Sequence, residues 1–506
     1  MRRHLGWIAP TLVLAIAAVL RFWALGWPHT LVFDEIYYVR DAISQLAHGY
    51  PTTWPDAEPD MSGERATAFT AEAANAVHPP LGKWLIGIGI LIFGPGSGWG
   101  WRSAVAVAGV LTVAIVMRTG WLLSRSLVVA CLAGLLLAID GVHVVLTRVG
   151  LLDGFLTLFI ALGALCVVQD QLAVARRDAT RAAIPVTWGR PWMLAAAATF
   201  GAAAAIKWSG LYPLAFFLVF VTVRDLLARR RSSAPRPWLD AAAQAWILAV
   251  LALPLAALVY LASWVGWITT AGGWGRIPGV PWFTALINYH REMLGWHGTL
   301  SAPHPFQSNP LTWPLALRPT AMYEERWTEG CPWNECVAGI TPLPNPIVTW
   351  GGVIALVVLA WLAARALRAG KLVGSAAEPQ RTNAPIMLPL TASVGFVLTG
   401  YLSGWLPWVA TVSRPAVFQF YAVVLTPFSA LGLALLIGIL CRFATLPAPQ
   451  NTLFAVSPDE LQGRRIAAAL FVLVAVLLAI LFFPVWSGQP IADWFWQAHM
   501  WLPGWD

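Results

Sequence analysis

The sequence predicts an all-α polytopic membrane protein with about eleven transmembrane helices and two large loops on one side. Three observations predict it. Of the 506 residues, 58% are hydrophobic and only 11% are charged, more apolar surface than a soluble domain of this size hides. Several runs of about 20 residues carry almost no charge, the length a helix needs to cross hydrocarbon. These runs are continuously apolar, whereas a membrane β-barrel alternates, so a barrel is excluded.

The candidate spans are 8–27, 100–121, 126–146, 150–169, 191–207, 209–228, 241–267, 347–368, 385–403, 416–440 and 465–485. "MRRHLGW" has the basic start of a signal peptide, but the apolar part is too long and no small-residue cleavage site follows. It reads as a first span with the N-terminus in the cytoplasm. Alternation then puts Arg118, Arg125, Arg176, Arg177, Arg229 to Arg231, Arg365, Arg368 and Arg464 in cytoplasmic segments, as the positive-inside rule requires. The net charge of +8 has this plain source and implies no nucleic-acid partner.

The two long loops, about 28–99 and 268–346, and a tail at 486–506 fall on the extracytoplasmic side. Residues 1–485 form one transmembrane domain. In "EIYYVRDAISQLAH" the residues Ile36, Val39, Ile43 and Leu46 recur at helical spacing opposite Arg40, Asp41, Ser44 and Gln45, predicting a helix on the membrane surface. Residues 82–94 are apolar but too short to span, which predicts a second in-plane or re-entrant helix. The cytoplasmic linkers 229–240, 369–384 and 442–464 carry no assigned chemistry. Cys131, Cys166 and Cys441 fall in apolar spans as core fillers. Cys331 and Cys336 lie in the second loop, where an oxidising compartment would let them form a disulfide.

Asp34 and Glu35 come just after the first span. A solvated helix end is the plain reading of such a pair. Carboxylates held near hydrocarbon are nonetheless costly and usually functional. Arg148, Lys207 and Arg414 sit near the same ends of their spans, where the positive-inside rule depletes cations, and together suit a lipid phosphate. Arg148 and Asp153 are five apart, so an internal ion pair competes for that arginine. A carboxylate beside a phosphate cradle suggests transfer of a sugar from a polyprenyl phosphate to a hydroxyl. The carboxylate takes the proton and the cations stabilise the leaving phosphate. No nucleotide is needed, consistent with the lack of a phosphate-binding glycine motif. "NAVHPPLGKW" adds His78 and Lys83 as substrate contacts. His290, His297 and His304 are seven apart, a spacing that fits zinc poorly, and no metal is assigned. The nearby tryptophans suit a sugar face or an interface anchor.

These motifs resemble, in order, those of the protein O-mannosyltransferase family: "FDEIYYVRDA", "HPPLGK", "LTRVGLLDGFL", "KWSG", "YHREM…HPFQSNPLTWPLALRP", "PNPIVTWGG" and "RPAVFQFY". The resemblance runs from about 20 to 440 and is to the bacterial branch, since the second loop has no β-trefoil insert. It implies a GT-C glycosyltransferase fold and polyprenyl-phosphate-mannose as donor, with no required cofactor or divalent metal. It implies inverting transfer to Ser or Thr of proteins crossing the membrane, at the outer face of the cytoplasmic membrane and with the secretion translocon as a possible partner. Carried onto this chain, Asp34 becomes the catalytic base and Glu35 a residue that positions the acceptor. Arg148, Lys207 and Arg414 become donor-phosphate ligands, and His78, Lys83, Asp153 and His304 substrate contacts. The alternatives are a related GT-C enzyme moving another polyprenyl-linked sugar onto a lipid or glycan, and a transporter. Transport is disfavoured by the absence of repeats and the one-sided charges.

Overall fold

A computed structural model describes residues 2–178, 184–232, 234–300, 303–368, 387–411, 416–444 and 456–505. Arg414 lies outside the described residues. The chain opens with α1 (Arg2–Phe22), α2 (Glu35–His48), α3 (Leu81–Phe93) and α4 (Gly98–Ser124). The next helices are α5 (Leu127–Ala138), α6 (Gly141–Leu146), α7 (Leu152–Asp178), α8 (Pro191–Ile206), α9 (Leu211–Arg231) and α10 (Pro237–Ala262). The helix α11 (Val265–Thr269) leads into the second long loop, which holds α12 (Trp282–Thr299) and a hairpin of β1 (Tyr323–Trp327) and β2 (Cys336–Ile340). The remainder is α13 (Pro346–Arg368), α14 (Leu390–Ala410), α15 (Thr426–Leu440), α16 (Pro458–Ser487), β3 (Ile491–Ala492) and α17 (Asp493–Gln497).

Seven helical segments among the described residues are long and apolar enough to cross a membrane, and shorter apolar helices accompany them. The chain is a multi-pass membrane protein. One apolar core links these helices, built largely from α4, α5, α7, α8, α14 and α15. The expected span 126–146 is broken. Asp140 caps α6 by accepting a hydrogen bond from the His143 amide at 2.9 Å, so a second helix starts where one was expected to continue. The span expected at 416–440 begins as a 3₁₀ segment, Gln419–Leu425, before α15.

The two short helices expected in the first loop form at nearly the expected residues, as α2 and α3. α2 ends at Gly49, whose φ of 84° is the left-handed cap that glycine tolerates. α3 begins after the Pro79–Pro80 pair and stops at Gly94. The polar face of α2 departs from expectation. Arg40, Ser44 and Gln45 are buried because the loop folds back over them. Arg40 donates to the carbonyls of Asp56 and Glu58, and the Thr52 amide donates to Ser44 Oγ.

The sequence pattern also gives no sign of the small sheet in the second loop. β1 and β2 pair antiparallel, and β3 of the C-terminal tail adds to β2. Cys331 and Cys336 are joined by a disulfide across this hairpin.

Candidate active site

The chain reaches α2 through Phe33, whose φ of 48° is a left-handed conformation unusual for a bulky residue. Phe418, Phe420 and His304 stand edge-on around the Phe33 ring and hold it there. Such strain persists only where the surroundings enforce it, and it clusters at functional sites. The turn makes Asp34 the N-cap of α2, yet its carboxylate makes no capping hydrogen bond. Asp34 lines a cavity of about 770 Å³.

Charged side chains from several elements face this cavity. Asp34, Arg40 and Asp41 come from α2, Lys83 from α3, Asp153 from the first turn of α7, and Lys207 from the end of α8. Lys207 has extended backbone at the junction with the 3₁₀ turn Trp208–Gly210. Its Nζ lies 2.6 Å from Asp153 Oδ2 and 5.0 Å from the ring centre of Tyr421. Asp153 therefore pairs with Lys207, and the competing Arg148–Asp153 pair does not form. Lys83 Nζ lies 3.2 Å from Asp41 Oδ2 and donates to the His78 carbonyl at 2.9 Å. His78 also lines the cavity.

Burial pushes the Asp34 carboxyl up to about 6. Lys207 opposes that rise, Asp153 adds to it, and a bond from the Tyr38 hydroxyl lowers it slightly. The Tyr38 hydroxyl stands 3.5 Å from Asp34 Oδ2. A carboxylate poised near neutrality in a cleft is suited to accept a proton from a hydroxyl. The Lys207 ammonium beside it has charge to offer an oxyanion.

Glu35 is placed differently from the expectation that it positions an acceptor. It is fully buried and absent from the cavity wall. Its two oxygens accept from Arg102 Nε and Nη2, each at 2.8 Å, and from the amides of Val32 and Gly150 at 2.9 and 2.6 Å. Arg102 also donates to the carbonyls of Leu25, Pro28 and Thr30. The pair ties the start of α2 to α4 and to the turn before α7.

Arg148 likewise does not reach the cavity. Its guanidinium donates to the carbonyls of Leu20, Arg21 and Trp23 at 2.8 to 3.0 Å, satisfying the acceptors left at the end of α1. That explains its position near the helix ends without any phosphate. His304 packs against Phe33, Phe306 and Phe418 and is not among the residues that line the cavity. Among the described residues no group of three or more His, Cys, Asp or Glu is placed to hold a metal. Sequence reasoning misses Arg102, although it is a cation at the same end of its span as Arg148. It also misses Asp41 as a cavity residue, although Asp41 lies seven residues from Asp34 on the same helical face.

The family model for dolichyl-phosphate-mannose-protein mannosyltransferase matches residues 11–266. The model for the C-terminal four-transmembrane region of protein O-mannosyltransferase matches residues 282–505. The chain is 31% identical over 530 residues to the polyprenol-phosphate-mannose–protein mannosyltransferase of Mycobacterium tuberculosis, covering 99% of this chain and 92% of the relative. The enzyme of the same name from Mycolicibacterium smegmatis is 32% identical over 543 residues, covering 99% and 93%. Among solved structures, the Saccharomyces cerevisiae protein O-mannosyltransferase Pmt1-Pmt2 complex bound to the sugar donor superposes with a TM-score of 0.70 at 14% identity, covering 99% of this chain and 92% of that one. ArnT from Cupriavidus metallidurans bound to undecaprenyl phosphate gives 0.50 at 17% identity, covering 96% and 77%. At these identities the structural likeness speaks for the GT-C fold alone.

Proposed function

The chain belongs to the dolichyl-phosphate-mannose-protein mannosyltransferase family, and from that premise we propose that its cavity transfers mannose from polyprenyl-phosphate-mannose to Ser or Thr hydroxyls of proteins. Asp34 is the base. The acceptor oxygen attacks the anomeric carbon as the bond from that carbon to the phosphate oxygen breaks. The hydroxyl proton goes to Asp34, and polyprenyl phosphate leaves. Lys207, held by Asp153, stabilises the departing phosphate. A single displacement of this kind inverts the anomeric centre.

The observation that carries this reading is the pairing of roles in one cavity: a carboxyl raised to about 6 beside an ammonium anchored at 2.6 Å to a second carboxylate. His78 and Lys83, which also line the cavity, contact donor or acceptor. Arg414 remains a phosphate ligand in this scheme. The Arg distribution supports an N-terminus in the cytoplasm and a cavity at the outer face of the cytoplasmic membrane, where emerging chains from a secretion translocon would supply acceptors. Purified protein given labelled polyprenyl-phosphate-mannose and a Ser/Thr peptide tests the proposal. Label reaching the peptide supports it, and label that never reaches the peptide overturns it.

A further inference from the structure

Lys207, assigned above to the leaving phosphate, is followed directly by Trp208, which opens the 3₁₀ turn Trp208–Gly210. Trp208 lines the same cavity and keeps part of its surface exposed. No step of the proposed transfer uses it. Consecutive Cα atoms lie about 3.8 Å apart, and in a sugar phosphate the anomeric carbon and the phosphorus share one oxygen. A ring carried on the next residue is therefore within reach of the sugar when Lys207 meets the phosphate.

The indole is held by a chain of hydrogen bonds whose direction is fixed at every link. The Leu286 carbonyl can only accept, so His290 Nδ1 donates to it at 2.8 Å. Burial holds the His290 imidazole below its ordinary value, so the ring is neutral, with one N–H and a bare Nε2. The Tyr260 hydroxyl, 2.6 Å from that Nε2, donates to it, and its oxygen accepts from Trp208 Nε1 at 3.0 Å. The His290 ring also stacks on the indole, with ring centres 6.0 Å apart and planes 23° from parallel. Trp208 lines the cavity while Tyr260 and His290 do not, so His290 backs the indole and the opposite face is turned to the cavity. With its one N–H engaged inside the protein, the indole offers the cavity an apolar π face.

We propose that Trp208 is the platform on which the ring of the transferred sugar stacks, and that Tyr260 and His290 are positioning residues that fix its plane. A pyranose carries C–H groups on its ring faces and hydroxyls around its rim, so a rigid π face orients the ring and leaves the rim to polar side chains. The inference rests on the proposed mannosyl transfer. It ties α10 and α12, which carry Tyr260 and His290, to recognition of the sugar. An isoprenoid chain would meet a π face as readily, and the test separates the two.

The test measures equilibrium binding of labelled polyprenyl-phosphate-mannose and of labelled polyprenyl phosphate to purified full-length protein, without acceptor. Trp208→Leu removes the π face and keeps apolar bulk. Its Kd for the mannosyl donor rises about tenfold, while its Kd for polyprenyl phosphate stays within about twofold of wild type. Tyr260→Phe leaves the indole in place and frees its edge, and it shows the same split at about threefold. Where Trp208→Leu does not fold, Tyr260→Phe decides. Equal weakening of both ligands assigns Trp208 to the lipid or the fold, and weakening of neither leaves it without a contact; each result overturns the platform. Transfer to a Ser/Thr peptide is followed in parallel with wild type. Donor that binds with this split but never labels peptide overturns the transfer reading while the sugar contact stands.

Discussion

Glu35 and Arg102 form a two-pronged ion pair at 2.8 Å, with Glu35 fully buried and Arg102 1% exposed. Neighbours in the motif thus serve different ends, Asp34 facing the cavity and Glu35 fastening the helix that carries it. Breaking one side of such a pair strands a buried charge, which costs about 3–5 kcal/mol. Glu35→Gln is expected to lower the thermal unfolding midpoint of the detergent-solubilised protein markedly. Combining it with Arg102→Met should recover part of the loss, because the stranded charge is then gone. An unchanged midpoint in Glu35→Gln would contradict this role.

The raised Asp34 carboxyl predicts an acid limb in the rate. A base acts only when ionised, so kcat/KM should fall about tenfold per pH unit below about 6. The loss is not acid unfolding at this residue. A carboxyl held above its ordinary 3.8 makes the folded state relatively more stable as pH falls through about 6 toward 4. Rate and circular dichroism recorded together over pH 4.5–8 check both halves. A flat rate profile across this range would remove Asp34 as the titrating base.

Lys207 and Arg148, both cations near helix ends, are expected to separate experimentally. Lys207→Gln should raise the KM for polyprenyl-phosphate-mannose about tenfold or more, since it removes the ammonium beside the leaving group. Arg148→Met should leave that KM unchanged and cost about 1–3 kcal/mol of stability, because carbonyls of α1 lose their donors. Donor titration and thermal unfolding of both variants decide the matter. A donor KM that shifts in Arg148→Met with stability unchanged would restore it as a phosphate ligand.

What the sequence reveals depends on how local each cause is. α2 and α3 are legible because their limits are written in neighbouring residues, Gly49 after the first and Pro79–Pro80 before the second. Asp34 is legible as a cavity residue through its place after the first span. The role of Glu35 is hidden because its partner is 67 positions away on α4. Arg148 misleads for the same reason, since its acceptors lie 125 to 128 positions earlier at the end of α1. Charge at a helix end marks both a lipid contact and a carbonyl clamp, and only tertiary packing separates them. The hairpin escapes notice because β1 reads "YEERW", too polar and short to show a buried face. The break before α6 is concealed within an otherwise apolar run and turns on the single residue Asp140.

The central claim is that Asp34 takes the proton from the acceptor hydroxyl. Asp34→Asn preserves size and removes the basic oxygen. Transfer of labelled mannose to a Ser/Thr peptide at saturating donor tests it most directly. The expected result is a fall in kcat of about 100-fold or more, with the KM for donor within about twofold of wild type. Turnover at the wild-type rate in Asp34→Asn would contradict the account.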